Sequence, residues 1–246
     1  MTLLHSLHEA AKKAALHWSG GKDSVLALHH IRKSYPSLQI VKLITCLSKA
    51  YDRVSMHGVR RQLIEEQADA VGIPVHFVVI PHQEDPSCPM AHSTPGTTFP
   101  PNDAYTRTML QALKQLKAEG IEVIGFGDIF LEDLRAFREK LLAHAGLTGC
   151  YPIWGRDSGA LYDEFVALGF QAITVCIDSQ RLTGNHCGQL LTPAFRASLP
   201  DGVDPCGERG EYHSFVFDGP LFGRPVPFRL GDAHHHPPFV FRELHP

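Results

Sequence analysis

Positive charge is in short supply in this sequence. Its 246 residues hold 23 lysines and arginines against 26 aspartates and glutamates, a formal net charge of −3. That balance provides no field to attract a nucleic-acid backbone, so no strong nucleic-acid signal is present. No apolar run approaches the ~20 residues that a membrane-spanning helix needs. The opening stretch is mixed polar and lacks the apolar centre of a signal peptide, so a cytoplasmic protein with no membrane partner is expected. The six cysteines (Cys46, Cys88, Cys150, Cys176, Cys187 and Cys206) are scattered and form no C-x-x-C pair. Free thiols are therefore expected rather than a disulfide framework. Histidine is plentiful, with 16 residues and a run at His234-His235-His236, but no Cys/His framework or H-x-x-x-H pair accompanies it. A structural metal is not expected.

What is present is an alternation of short apolar runs with helical periodicity. Strands are predicted at 14–18, 39–47, 75–80, 121–126 and 150–154, with helices at 22–35, 56–71, 103–119 and 131–145 between them. Such alternation argues for an α/β fold with a parallel sheet of five strands covered on both faces. Beyond residue 156 the pattern loosens into a helix at 161–168 and strands at 172–177, 214–217 and 239–241. This reads as a smaller C-terminal α+β domain, giving a division into 1–156 and 157–246. Residues 81–103 hold six prolines and exclude helix or central strand. A loop this long is either a binding loop or lid, or a surface insertion.

The first strand runs into Ser19-Gly20-Gly21-Lys22-Asp23-Ser24, and a helix follows at once. Two glycines let a ligand approach the backbone closely. The helix start directs unpaired N–H groups and the positive end of its dipole at the same place. Ser19 and Ser24 add hydroxyls and Lys22 a positive charge, which together make a phosphate pocket. The string is neither a Walker A loop nor a dinucleotide G-x-G-x-x-G turn. Asp23 has two readings, as a ligand for Mg2+ or as an acidic residue that stabilises the first helical turn. Asp128, after the fourth predicted strand, likewise reads as a site carboxylate or as the N-cap of the next helix.

The string resembles the S-G-G-x-D-S loop of the PP-loop ATP pyrophosphatases. That resemblance implies ATP and Mg2+ as cofactors and cleavage between the α- and β-phosphates. Three further segments resemble one family within that group, the diphthine–ammonia ligases and their prokaryotic relatives. They are Ser55-Met56-His57 with the helix ending at 72–74; residues 125–135 (GFGDIFLEDLR) with Arg138-Glu139 and 152–154; and residues 206–222 (CGERGEYHSFVFDGPLF). Together they span nearly the whole chain.

The resemblance implies an ATP-dependent ligase that adenylates a carboxylate, diphthine on an elongation factor, and transfers ammonia or an amine to it. A homodimer is the candidate assembly. Lys22, Asp128 and Arg135 become candidate catalytic residues. Residues Ser19 to Ser24 and Gly127 become candidates for cofactor binding, with Asp23 on the metal. Glu208, Gly210, Glu211 and Tyr212 become candidates for the acceptor, since two close carboxylates and an aromatic ring suit a cationic group; from residue types alone the same stretch also reads as a surface turn before a strand. The chain departs from the eukaryotic members in one place: they carry S-D-Y-Q-R where it has Leu131-Glu132-Asp133-Leu134-Arg135, retaining only the arginine. Arg209 also replaces a common glycine. Two alternatives stand beside the ligase: a PP-loop enzyme acting on an unrelated small metabolite, and a nucleotide sensor without turnover.

Overall fold

The computed structural model describes residues 11–81 and 103–246. The proline-rich stretch falls almost wholly outside them. Strands β1 (Lys12–His17), β2 (Leu38–Ser48), β4 (Val75–Ile80), β5 (Val123–Gly125) and β6 (Thr148–Cys150) run parallel in the order β4-β2-β1-β5-β6. A two-residue strand, β3 (Arg53–Val54), folds back antiparallel on the carboxyl end of β2. Helices α1 (Lys22–Ser34), α2 (Arg61–Val71), α3 (Asp103–Ala118) and α4 (Glu132–Ala145) make the crossovers.

Alternate residues of each strand face opposite ways, so the sheet feeds two cores. Leu16 and Leu43 join Leu26 of α1 and Leu63 and Ile64 of α2 on one face. Ala15, Ile44, Val78 and Ile124 meet Leu113 and Leu116 of α3 and Leu141 and Leu142 of α4 on the other. The first core continues without a break into Phe215, Val216 and Val240 of the second sheet. That sheet is antiparallel, built from β7 (Gln171–Asp178), β8 (Tyr212–Asp218), β9 (Arg229–His236) and β10 (Phe239–His245) in the order β8-β7-β10-β9. Helix α5 (Ser158–Ala167) leads into it, started by Asp157, whose side chain accepts from Ala160 N at 2.7 Å.

Three expectations need correction. The apolar run 150–154 is not a strand: β6 ends at Cys150, and Trp154 N donates to Tyr151 O at 3.2 Å in a turn. Pro152 has no N–H to give a ladder, and Ile153 is apolar because it is buried. The second helix begins at Arg61 rather than at 56, because Met56 takes a positive φ of 67° that no helix admits. β9 was not foreseen. Its residues lack apolar alternation because it is an exposed edge, aligned only by its pairing with β10, His234 opposite Phe241 and His236 opposite Phe239. The histidine run is thus part of a strand. Among the described residues no group of three His, Cys, Asp or Glu side chains converges to hold a metal, and no helix is long and apolar enough to cross a membrane. Cys46, Cys150, Cys176, Cys187 and Cys206 are free and buried.

Candidate active site

The carboxyl ends of the parallel strands share one edge, where such folds take ligands. β1 delivers Ser19, Gly20 and Gly21 there, directly before α1. Gly20 has a φ of +79°, and a Cβ on it would stand 2.7 Å from Gln67 Oε1 and Ile64 Cδ1, so only glycine fits. Gln67, fully buried on α2, ties the turn down. Its Oε1 accepts from Trp18 Nε1 at 2.8 Å, and its Nε2 donates to Gly20 O at 2.9 Å and to Val216 O. Val216 N of β8 also donates to Gly20 O at 2.9 Å, and Lys22 N donates to Ser214 Oγ at 3.2 Å. The second sheet therefore forms one wall of the phosphate loop. No side chain caps α1 at Gly21, and Ser24 Oγ donates to Gly21 O at 2.8 Å.

A cavity of about 600 Å³ opens at this edge. Ser19, Gly21, Lys22, Asp23 and Ser24 line it, as do Gly127 and Asp128 from the loop after β5 and Glu208, Gly210 and Tyr212 from the turn before β8. Gly127 has a packing reason as well: a Cβ there would lie 2.7 Å from the Asp23 carbonyl carbon and oxygen and 2.9 Å from Ser24 N. Lys22 is almost fully buried. Its Nζ donates to Asp23 Oδ2 at 2.8 Å and to Cys206 O, and it stands 5.2 Å above the Tyr212 ring. Burial opposes its charge, but the Asp23 carboxylate outweighs that and holds its pKa above the usual lysine value. Asp23 Oδ1 is buried without a partner.

Asp128 does not cap α4, whose N-cap is Leu131. Its carboxylate is instead in a two-pronged ion pair with Arg138, Nε to Oδ2 at 2.7 Å and Nη2 to Oδ1 at 3.1 Å. Glu208 Oε1 accepts from Ile129 N at 2.8 Å, bridging the two loops. Burial, then the Asp23 charge, pushes the Glu208 carboxyl up to about 8.

Two expected site residues do not line the cavity. Arg135 does not reach the cavity. Its guanidinium lies 4.7 Å from the Tyr151 ring and 4.6 Å from the Trp154 ring, in a separate surface pocket that those two rings also line. Glu211 is also absent from the lining. Its carboxylate is buried and already used, Oε1 accepting from Asp204 N and Oε2 from Arg209 N, each at 3.0 Å. It shapes the turn. Tyr212 lines the cavity as expected, with Lys22 Nζ over its ring and its hydroxyl donating to Pro205 O at 2.5 Å.

The sequence reading missed several residues that the cavity gathers. Arg138 is one. His17, His57 and His213 are others. Burial, with the Arg138 charge, lowers His17 to about 3, burial lowers His57 to about 4, and His213 falls well below its usual value, so all three are neutral. His57 and His213 lie within the segments that carried the resemblance, yet nothing in their local sequence distinguishes them from core histidines. Asp204, behind the lining, was missed too: its Oδ1 accepts from Cys206 N at 3.0 Å and Glu208 N at 3.1 Å, and so folds the Glu208 turn.

A glycine-rich turn opening onto a helix at the edge of a parallel sheet, beneath a carboxylate-bearing turn, is an arrangement suited to holding phosphate groups. The diphthamide synthase N-terminal domain model matches residues 11–88 and the C-terminal domain model residues 157–233, together more than half of the chain. The chain belongs to the diphthamide synthase family. Among curated proteins it is similar to the diphthine–ammonia ligase of Danio rerio, 27% identical over 219 residues, which are 85% of this chain and 83% of that protein. The Bos taurus diphthine–ammonia ligase is 26% identical over 226 residues, 85% of this chain and 79% of that protein. Among solved structures, the U34-tRNA thiolase NcsA of Methanococcus maripaludis is 18% identical, with 65% of this chain and 59% of that chain covered and a TM-score of 0.39, too slight a likeness to build on.

Proposed function

We propose that the cavity binds ATP with Mg2+ and that the protein makes an amide from a substrate carboxylate, of the diphthine kind carried on an elongation factor, and ammonia. The observation that carries this reading is the set of buried polar atoms left unpartnered around the phosphate loop: Asp23 Oδ1, Ser55 Oγ and His213 Nε2 all belong to residues of the cavity wall. Buried polar atoms are rarely left so in an unliganded core, and a polar ligand satisfies them. Asp23 Oδ1 suits Mg2+, which takes one or two protein carboxylates and completes its shell with phosphate oxygens and water. That ion would supply charge neutralisation on the phosphates.

The residues then divide the work. Ser19, Gly21 and the first amides of α1 cradle the β- and γ-phosphates, and Lys22, held cationic, supplies charge against the departing pyrophosphate. The acceptor carboxylate oxygen attacks the α-phosphorus, the bond to pyrophosphate breaks, and an acyl-adenylate forms. Ammonia attacks the acyl carbon, AMP leaves, and the proton lost by the nitrogen passes to a base. Glu208 faces that step from the opposite wall, with Glu132 and Asp133 lining the same cavity and matching a cationic acceptor.

Incubation with ATP, Mg2+ and ammonium, with and without diphthine-bearing elongation factor, tests the reading. AMP and pyrophosphate formed only with the acceptor are expected. Release of ADP overturns the assignment of the bond, and nucleotide binding without turnover on any acceptor favours a sensor.

A further inference from the structure

The charged cavity wall is acidic on balance: Asp23, Asp128, Glu132 and Asp133 outnumber Lys22, Arg138 and Arg209, while Glu208 keeps its proton up to about pH 8. A nucleotide triphosphate adds several more negative charges to that wall, and in a partly desolvated cavity such repulsion is costly unless cations or protons enter too. One divalent ion does not cancel the charge of the phosphates and the wall together.

Two side chains beside the phosphate loop are built to accept the difference. His57, after β3, and His213, on β8, face each other with ring centroids 4.5 Å apart. His57 Nε2 lies 3.1 Å from the place a Cβ on Gly21 would occupy, so the imidazole abuts the loop where the chain is barest. The Nδ1 of His57 is 3.4 Å from Ser55 O, which leaves Nε2 on the loop side. His213 Nε2 is buried and has no partner, and neither does Ser55 Oγ next to the pair. The backbone is strained to make this arrangement: Met56 has a φ of 67°, and His57 N donates across it to Ser55 O at 2.9 Å, the bonding pattern of a γ-turn. Strain of this kind persists where the surrounding structure fixes it, commonly at ligand sites.

Resting on the nucleotide reading above, we propose that the His57–His213 pair is a second phosphate-binding element, which takes a proton from solvent as the phosphates enter and holds them as an imidazolium. The groups facing the pair explain why the proton waits for the ligand. They are the Lys22 ammonium from α1 and the imidazole of His17 from β1, behind which stands Arg138 of α4. All are cationic or neutral, and with burial they keep both imidazoles uncharged, His57 down to about 4. An opposite charge at ~4–6 Å favours the protonated form by about 1–3 units per charge, and a phosphate chain brings several. No bond of the nucleotide breaks in this step, and the proton is balanced by the solvent.

Titration calorimetry of the full chain with α,β-methylene-ATP and Mg2+ at about pH 8, in buffers of different ionisation enthalpy, reads the uptake directly. About one proton per bound nucleotide is expected, with affinity rising about tenfold for each unit that the pH falls. His57→Asn or His213→Asn should abolish most of the uptake. Histidine NMR of the unaltered chain should show imidazolium signals appearing on saturation, whether or not the variants fold. Saturable binding with less than about 0.2 proton taken up, or undiminished uptake in both folded variants, overturns the proposal alone. Failure of the nucleotide to bind at all overturns the nucleotide reading and the pair's role with it.

Discussion

Gln67→Met tests how the phosphate loop is held. The glutamine amide is fully buried within an apolar helix face and makes three hydrogen bonds, to Trp18 Nε1, Gly20 O and Val216 O. Methionine keeps the length and roughly the volume, so packing changes little. Gly20 O retains the Val216 N–H, but the Trp18 indole N–H and the Val216 carbonyl lose a partner in a site closed to water. Each buried orphan costs ~1–3 kcal/mol, which puts the loss for the two at about 2–6 kcal/mol. A chain of ordinary stability, ~5–15 kcal/mol, still folds. Urea denaturation should show a lower midpoint with an unchanged slope. Because the same amide joins β1, α2 and β8 around Gly20, nucleotide affinity should fall about tenfold, or ~1.4 kcal/mol, in calorimetry on the folded variant. A variant within ~0.5 kcal/mol of the parent, binding nucleotide normally, would refute the idea that this amide fixes the loop.

Asp128→Asn strands the Arg138 guanidinium, so stability should drop by about 3 kcal/mol in chemical denaturation, and adding Arg138→Met should restore most of it. Glu208 keeps its proton in the fold up to about pH 8 against an ordinary 4.5, so the folded chain binds more protons than the unfolded one across that window. Stability therefore falls as pH rises from 4.5 to about 8, and Glu208→Gln should flatten that slope; a parent and variant with parallel pH–stability curves would contradict it. Arg135→Ala should lose ~0.5–2 kcal/mol of stability through its two ring contacts. Its nucleotide dissociation constant should stay within about twofold of the parent's in the same calorimetry, and a large weakening would return Arg135 to the site.

The parallel layer was legible because each strand is a short apolar run closed by a turn, and each crossover helix carries an apolar stripe. Its limits came where one residue overrode the local pattern. Met56 delays α2 by forcing a turn that hydrophobic spacing does not report, and Pro152 denies the run at 150–154 its ladder. β9 escaped because an exposed edge strand owes its conformation to backbone pairing with β10 and needs no apolar alternation. The turn from β1 into α1 was legible, since its glycines and the helix start are consecutive residues. The histidine pair was not, because His57 lies in the turn after β3 and His213 on β8, and they meet only when β8 is laid against the loop.

Glu208 and Glu211 show what residue type leaves undecided. They are three positions apart on one turn, equally acidic, and both are drawn out of bulk water. What separates them is the number of donors each has already taken. Glu211 accepts Asp204 N with one oxygen and Arg209 N with the other, so both oxygens are spent on the backbone that forms the turn. Glu208 accepts one amide, Ile129 N, and borders the cavity beside Asp23 and Asp128. Glu211 has both oxygens engaged by the turn, whereas Glu208, drawn out of water next to other carboxylates, holds its proton and has capacity left for a ligand. Asp128 and Arg135 divide on the same ground: the partner each has already taken, Arg138 for one and two aromatic rings for the other, decides which stays on the cavity wall. Motif spacing brings such groups to the same region, and only the hydrogen bonds that the surrounding chain has already made determine which of them remains free to do chemistry.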